Sequence, residues 1–190
     1  ALDLFSSIIV KSLMSISEKQ PIPRAENIAM FKSNAGNIHD SRIIQGVAFR
    51  RRVLMDSLPN KLSDVKVAVI SGDIKIRKMT RTAEIQITSA DQLEAFVDAE
   101  QDRKNSISQS LVDSGASLVL CGGEIDRDIL HNLADNNILA IGELDSSEIE
   151  NSASATGAKI VDSIADIERK DLGFCGSVLW ERNEASDMVE

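Results

Sequence analysis

The segment 113–161 constrains the fold most strongly, because short apolar runs alternate along it with amphipathic runs. Strands are predicted at SLVLC, ILAIG and KIV. Helices are predicted over about 125–135 and 147–155, the second with Asp145 and Glu148 at capping-box spacing. Strands that alternate with helices favour parallel pairing through right-handed crossovers. The sequence therefore predicts an α/β domain.

The residues that precede this segment have strand-like patterns followed by one long helix. The runs at 43–49, 65–70 and 83–87 are short and rich in β-branched residues, and 83–87 alternates strictly. Ser89 and Gln92 have capping-box spacing, which predicts a helix that ends near Asp113, before Gly115. No large apolar residue lies between Val97 and Ile107. We therefore expect the middle of this helix to lie in solvent, and a last strand over 173–180 closes the domain.

The N-terminal part has a different pattern. Residues 2–18 have apolar side chains at spacings of three and four, which predicts an amphipathic helix stopped by Pro21 and Pro23. A short strand, NIAMFK, and a polar turn, SNAGN, follow. The sequence begins without Met inside an apparent helix, so we expect a piece of a longer polypeptide.

Composition disfavours several classes of partner. The formal net charge is −9 and the pI is about 4.8, which disfavours nucleic acid and anionic lipid as partners. No apolar run approaches the roughly 20 residues of a membrane helix, and we find no secretory signal. The basic run Arg50–Arg52 is interpreted as a solvated strand edge. Cys121 and Cys175 are expected to be buried free thiols, and they are too few for a structural zinc site.

No constellation of residues predicts catalysis. The phosphate-loop, dinucleotide and zinc-hydrolase motifs do not occur in this sequence. The turn Cys121-Gly122-Gly123 could offer amides to an anion, but Glu124 and Asp126 would repel it, so a plain tight turn is favoured. His39-Asp40-Ser41 are loop neighbours that cannot orient one another as a triad. His131 could act as a base with Cys121, but a thiolate is disfavoured in an apolar strand. We predict no catalytic and no metal-binding residue.

Several segments together resemble the group II chaperonins, the thermosome and its cytosolic relatives. The similar segments are IHDSRIIQG, LPNKLSDVKVAV, TAEIQITSADQLEAFVDAEQ, ATGAKIV and LGFCGSVLWER, and they extend over almost the whole chain. The resemblance implies a partial intermediate domain at 1–45 and an apical domain at 46–182, followed by a polar tail at 183–190. The implied apical fold is a swivelling β/β/α domain with a helical protrusion at about 75–112.

The resemblance also implies a function, which is the binding of non-native polypeptide by the apical domain of an ATP-dependent chaperonin. Two surfaces are implied. The helix that follows the 122–124 loop contributes Ile125, Ile129, Leu130 and Leu133, and the protrusion contributes Ile85, Ile87, Leu93, Phe96 and Val97. Ile129, Leu130 and Leu133 could instead pack their helix on the sheet, and we expect at least one of them to do so.

Nucleotide chemistry is implied only for the longer family member. Lys32 falls where the family has a lysine that senses the nucleotide γ-phosphate. The ATP- and Mg-binding equatorial domain lies outside these 190 residues, so we predict no cofactor and no ATP hydrolysis for them. The implied partners are unfolded or partly folded proteins and other chaperonin subunits in a double ring, and the implied location is the cytoplasm.

The sequence departs from the family pattern at three places. Gly122-Gly123-Glu124 replaces a QKG loop, Gly142 and Glu143 replace paired arginines, and Ser89-Ala90-Asp91 replaces an Asp-Pro helix entry. The first change turns a positive loop into a negative one. These departures leave open an alternative, in which a chaperonin-like scaffold or adaptor module has no folding cycle.

Overall fold

The structure is a computed structural model that describes residues 2–17, 28–32, 37–51, 60–76, 90–181 and 188–189. The chain divides into two compact units, 1–48 and 49–190. Their assignment as partial intermediate and apical domains stays a prediction.

The first unit contains helix α1, Leu2–Ser17, as the apolar spacing predicts. Phe5, Ile9 and Val10 on this helix are exposed. A 3-10 turn, Ile38–Asp40, is closed by the Asp40 carboxylate, which accepts a hydrogen bond from the Asn37 backbone N–H. The predicted strand at 27–32 is wrong, because the described residues 28–32 form no strand and Met30 is 91% exposed. Among the described residues no strand pairs with this run, so it gains no ladder hydrogen bonds from them.

In the described part of the second unit, the strands form a seven-stranded sheet. Its strands are β1 Phe49–Arg50, β2 Lys61–Ile70, β3 Leu118–Cys121, β4 Leu139–Ile141, β5 Ile160–Val161, β6 Gly173–Glu181 and β7 Met188–Val189. The order is β1-β7-β6-β2-β3-β4, and β5 also pairs with β2. β3 pairs with β2 and with β4, both in parallel. β6 pairs antiparallel with residues 61–67 of β2, and β5 pairs in parallel with Val69 and Ile70, the last two residues of β2.

Three helices connect the parallel strands, which confirms the predicted α/β class. They are α2 Ala90–Ser114, α3 Arg127–Asp135 and α4 Ser146–Thr156. Gly115 and Gly157 follow α2 and α4 with φ values of 81° and 73°. At these values the backbone of any residue with a Cβ atom would be strained, so glycine is favoured. At the start of α4 the Glu148 carboxylate accepts the Asp145 N–H at 2.8 Å, as the capping-box spacing predicts.

The core lies along the central parallel strands. All residues of β3 and β4 are buried, and so are 67–70 of β2. Continuous apolar runs of this kind are typical of parallel strands covered on both faces. The carboxyl ends of β2, β3, β4 and β5 meet at one edge of the sheet, where the loop before α3 lies.

Three other predictions need correction or comment. Of the strand predicted over 43–49, only Phe49 lies in a strand, as the first residue of β1, because a bend at Gln45-Gly46 interrupts the run and glycine weakens a strand interior. The segment predicted as a polar tail contributes β7, which pairs with β1 and β6. The predicted strand at 83–87 lies outside the described residues.

Candidate functional site

The apolar residues of α3 face inward. Ile129 and Leu133 have no exposed surface, and Leu130 is also buried. Their i, i+1, i+4 spacing forms one stripe, which an amphipathic helix must cover with another layer. The expectation that at least one of these residues packs the helix is therefore met by all three.

Ile125, in the loop before α3, is the predicted candidate that keeps some exposed surface there. It forms an isolated parallel bridge with Ile74. The Ile74 N–H donates to the Glu124 carbonyl and the Asp126 N–H donates to the Ile74 carbonyl, both at 2.9 Å. The bridge fixes the loop immediately before the helix begins.

The outward side of α3 is polar. Arg127, Asp128, His131 and Asp135 are exposed. The helix begins at Asp126, whose side chain accepts a hydrogen bond from the Asp128 N–H at 2.9 Å. A ligand that approaches α3 from solvent therefore meets charged and amphipathic groups rather than the apolar stripe.

The 122–124 loop is a tight turn whose backbone amides are already used. The Gly122 N–H donates to Ile70 at 2.9 Å and the Gly123 N–H to Gly72 at 3.2 Å, in both cases to the carbonyl oxygen. The Glu124 N–H donates to Asp73 Oδ1 at 3.0 Å. Because these donors have partners within the protein, the turn does not offer them to an anion, in agreement with the favoured prediction.

The charge of this loop is partly balanced by a neighbouring lysine. Lys75 Nζ lies 3.3 Å from Asp73 Oδ2 and 3.4 Å from Glu124 Oε2. Hydrogen bonds to these two carboxylates raise the pKa of Lys75. The ammonium is charged at neutral pH, and it reduces the negative potential that Glu124 and Asp73 create at this loop.

Cys121, which ends β3, is poorly suited to act as a nucleophile in this setting. Its thiol donates to the Gly72 carbonyl at 3.0 Å, and burial raises its pKa to about 11. His131 lies exposed on α3 while Cys121 is buried, so the structure gives no support to a thiol–imidazole pair. Both cysteines are free, as expected. Cys175 was expected to be buried, but it is only half-buried, because it lies on β6 where the sheet is partly exposed.

The exposed apolar candidates lie on the first half of α2. Leu93, Phe96 and Val97 are 50%, 47% and 56% exposed. Their spacing of three and four places them on one side of the helix, and we call them the α2 stripe. Every residue from 91 to 99 is exposed, so the exposed part of the helix begins nearer its start than the sequence predicted, which placed only the middle of the helix in solvent. Ile85 and Ile87 lie outside the described residues.

Sequence reasoning missed two features of the second unit. Arg51 was interpreted as part of a solvated edge, but its guanidinium binds the Glu148 carboxylate at 2.5 Å and donates to the Glu143 carbonyl at 3.0 Å. These partners lie 92 and 97 residues away, so no local pattern indicates them. Phe174 on β6 is exposed, and the prediction of a closing strand over 173–180 said nothing of its exposure.

The remaining site predictions concern nucleotide, metal and membrane. Lys32 is exposed in the first unit. Among the residues that the structure describes, no group of three His, Cys, Asp or Glu side chains could hold a metal ion. In the same part of the chain, no helix has both the length and the apolar character needed to span a membrane.

Comparison with known proteins agrees with the resemblance. The model of the TCP-1/cpn60 chaperonin family matches residues 1–189. The chain belongs to the TCP-1/cpn60 chaperonin family. It is similar to thermosome subunit 1 of Haloferax volcanii, with 33% identity over 94% of this chain and 32% of that protein. It is also 34% identical to a thermosome subunit of Pyrococcus horikoshii, over 86% of this chain and 30% of that subunit.

The fold is also similar to that of a solved chaperonin. The open-state monomer of a group II chaperonin from Methanococcoides burtonii matches with a TM-score of 0.63 and 19% identity, over 81% of this chain and 32% of that one. The chain spans about a third of the length of the curated relatives that it matches.

Proposed function

We propose that this chain binds non-native polypeptide through the α2 stripe, as part of an ATP-dependent group II chaperonin that assists protein folding. The observation that carries the proposal is the exposure of Leu93, Phe96 and Val97 on a helix half whose other residues are also exposed. Membership of the chaperonin family supports it. Exposed clustered apolar side chains are typical of surfaces that bind other proteins.

The chemistry of the α2 stripe suits weak and unselective binding. Burial of apolar surface is worth about 25 cal/mol per Å² and has no directional requirement, so many client sequences can satisfy it. Three partly exposed side chains give low affinity alone. Several copies in a ring would raise the overall affinity through effective concentration without any new contact.

The proposal for α3 is narrower. Ile129 and Leu133 have no surface that a client could reach while α3 stays packed. Ile125 is partly exposed beside the polar side of α3. We therefore propose that Ile125 contributes an apolar contact, whereas Ile129, Leu130 and Leu133 hold the helix that presents it.

Nucleotide enters the proposal through a longer polypeptide that contains this chain. In such a polypeptide, assembled in a double ring in the cytoplasm, Lys32 would sense the nucleotide γ-phosphate and couple it to client release. Its exposed ammonium is suited to a phosphate partner. In the assembled chaperonin, Lys32→Ala should leave ATP binding intact and slow client release, and unchanged release would exclude this role.

The first test is aggregation of a chemically denatured client protein with the 190-residue chain at equal concentration and without ATP. The test variant carries Leu93→Ser, Phe96→Ser and Val97→Ser. The matched control carries Glu94→Gln and Asp98→Asn on the same exposed helix half. Circular dichroism and the thermal midpoint verify that all three proteins are folded.

Suppression by the unchanged chain and the control, but not by the test variant, would support the proposal. If the single chain does not suppress aggregation, several tethered copies test the contribution of avidity. Failure of folded, tethered copies to suppress aggregation would overturn the proposal and favour the scaffold or adaptor alternative.

A further inference from the structure

Helix α2 changes its surroundings along its length. Residues 91–99 are exposed, whereas Ser108, Leu111 and Ser114 are buried. The second half packs against α3 and against the 3-10 turn Ile164–Asp166. The exposed half therefore extends from the body of the second unit, and its direction depends on the contacts where packing begins.

Lys104 lies at that transition. Its side chain is 13% exposed, and Nζ lies 2.5 Å from Asp128 Oδ2 and 3.4 Å from Asp126 Oδ2. The next residue of α2, Asn105, accepts a hydrogen bond at its Oδ1 from the side-chain N–H of Asn132 on α3, at 3.1 Å. These contacts join α2 to the beginning and the middle of α3.

The same carboxylates also organise the start of α3. Asp126 caps the helix by accepting the Asp128 N–H, and Asp128 lies in the first turn. Negative side chains are favourable at a helix N-terminus, but two of them in one turn repel each other. Lys104 on the neighbouring helix compensates both charges. The position of the Lys104 ammonium therefore depends on where α3 begins. Helix α3 is in turn fixed on the core by Ile129 and Leu133.

We propose that Lys104 is a positioning residue, which fixes the direction of the exposed half of α2 and so presents the α2 stripe to a client. This inference rests on the proposed function. The side chains of Asp126 and Asp128 are 26% and 52% exposed, so water can solvate both carboxylates when Lys104 is replaced. A partly solvated ion pair contributes little to global stability. Its effect should therefore be seen in the orientation of the helix half and in client binding rather than in the unfolding transition.

Orientation can be measured directly with spin labels. Labels are placed at Glu94→Cys on the exposed half and at Asn151→Cys on α4, with Cys175→Ser to remove the half-buried thiol. Lys104→Met removes the charge and keeps an apolar side chain of similar length, and Lys104→Arg keeps the charge. The matched control is Lys75→Met, because Lys75 also contacts two carboxylates but lies outside α2.

We expect Lys104→Met to broaden the label-to-label distance distribution, and Lys104→Arg and Lys75→Met to leave it narrow. Apparent client affinity should fall about threefold if one orientation in three stays competent, with the thermal midpoint unchanged. A distribution for Lys104→Met as narrow as that of Lys75→Met would overturn the inference. Since the distance measurement uses no client, it tests Lys104 even if the unchanged chain binds no client and the proposed function fails.

Discussion

The first half of α2 and helix α3 were both predicted to bind clients through apolar residues at helical spacing, but the structure treats them in opposite ways. The α2 stripe is exposed, whereas Ile129, Leu130 and Leu133 are buried beneath a polar outward side of α3. The periodicity of the two helices is similar. The difference teaches that an apolar stripe indicates a surface to be covered, and that only tertiary packing decides whether the cover is the same chain or a partner.

The largest expected effect breaks the packed side of this comparison. Leu133→Ala should lower the free energy of unfolding by about 2–5 kcal/mol, because it opens a cavity at a fully buried position. Urea denaturation checks this value. A loss below about 1 kcal/mol would mean that α3 does not depend on this residue for its packing.

The next effect concerns the loop that leads into α3. A Cβ atom at Gly122 would lie 2.6 Å from the Ser71 carbonyl oxygen, so Gly122→Ala must displace backbone. We expect a loss of about 1–3 kcal/mol in the same denaturation experiment. Gly46→Ala is the control, because a Cβ atom there meets nothing within 4 Å. Equal stability of the two variants would contradict the described turn.

A smaller effect appears as a pH dependence. Because burial raises the pKa of Cys121 from 9.0 to about 11, the folded state favours the protonated thiol. Its contribution is therefore complete below pH 9 and is lost as pH rises toward 11. Between pH 8 and pH 11, the Cys121→Ala variant should lose less unfolding free energy than the unchanged chain. Identical pH profiles would exclude a buried thiol in this position.

The smallest effect sharpens the exposed side of the comparison. Phe96→Ala should change the free energy of unfolding by no more than about 0.5 kcal/mol, because half of the side chain is already in solvent. Urea denaturation beside Leu133→Ala gives the contrast within one experiment. A loss like that of Leu133→Ala would show that the α2 stripe packs within the protein.

The parallel strands and their helices were predictable because their signals are local. Apolar runs, the capping box at Asp145 and the glycine after α2 each act within a few residues. The strand β7 and the bounds of β1 were not predictable, because two-residue strands exist only through pairing with distant partners. The Lys104 contacts with Asp126 and Asp128 likewise join residues more than 20 positions apart.

For the candidate site, the residue types could be predicted but their exposure could not. The resemblance to the chaperonins selected Leu93, Phe96 and Val97, and solvent contact was expected only for the polar middle of their helix. On α3 the same reasoning selected residues that the core buries. Exposure depends on which layers meet in three dimensions, and a single sequence holds no direct signal for that.

The most direct measurement of the central claim compares how strongly α2 and α3 crosslink to a bound client protein. A photoreactive phenylalanine analogue is placed at position 96 on α2 or at position 131 on α3, both of which are exposed. Each protein is irradiated with a denatured client, and the adducts are mapped by mass spectrometry. The account predicts client adducts at position 96 well above those at position 131. Adducts mainly at position 131 would contradict it and return the client-binding surface to α3.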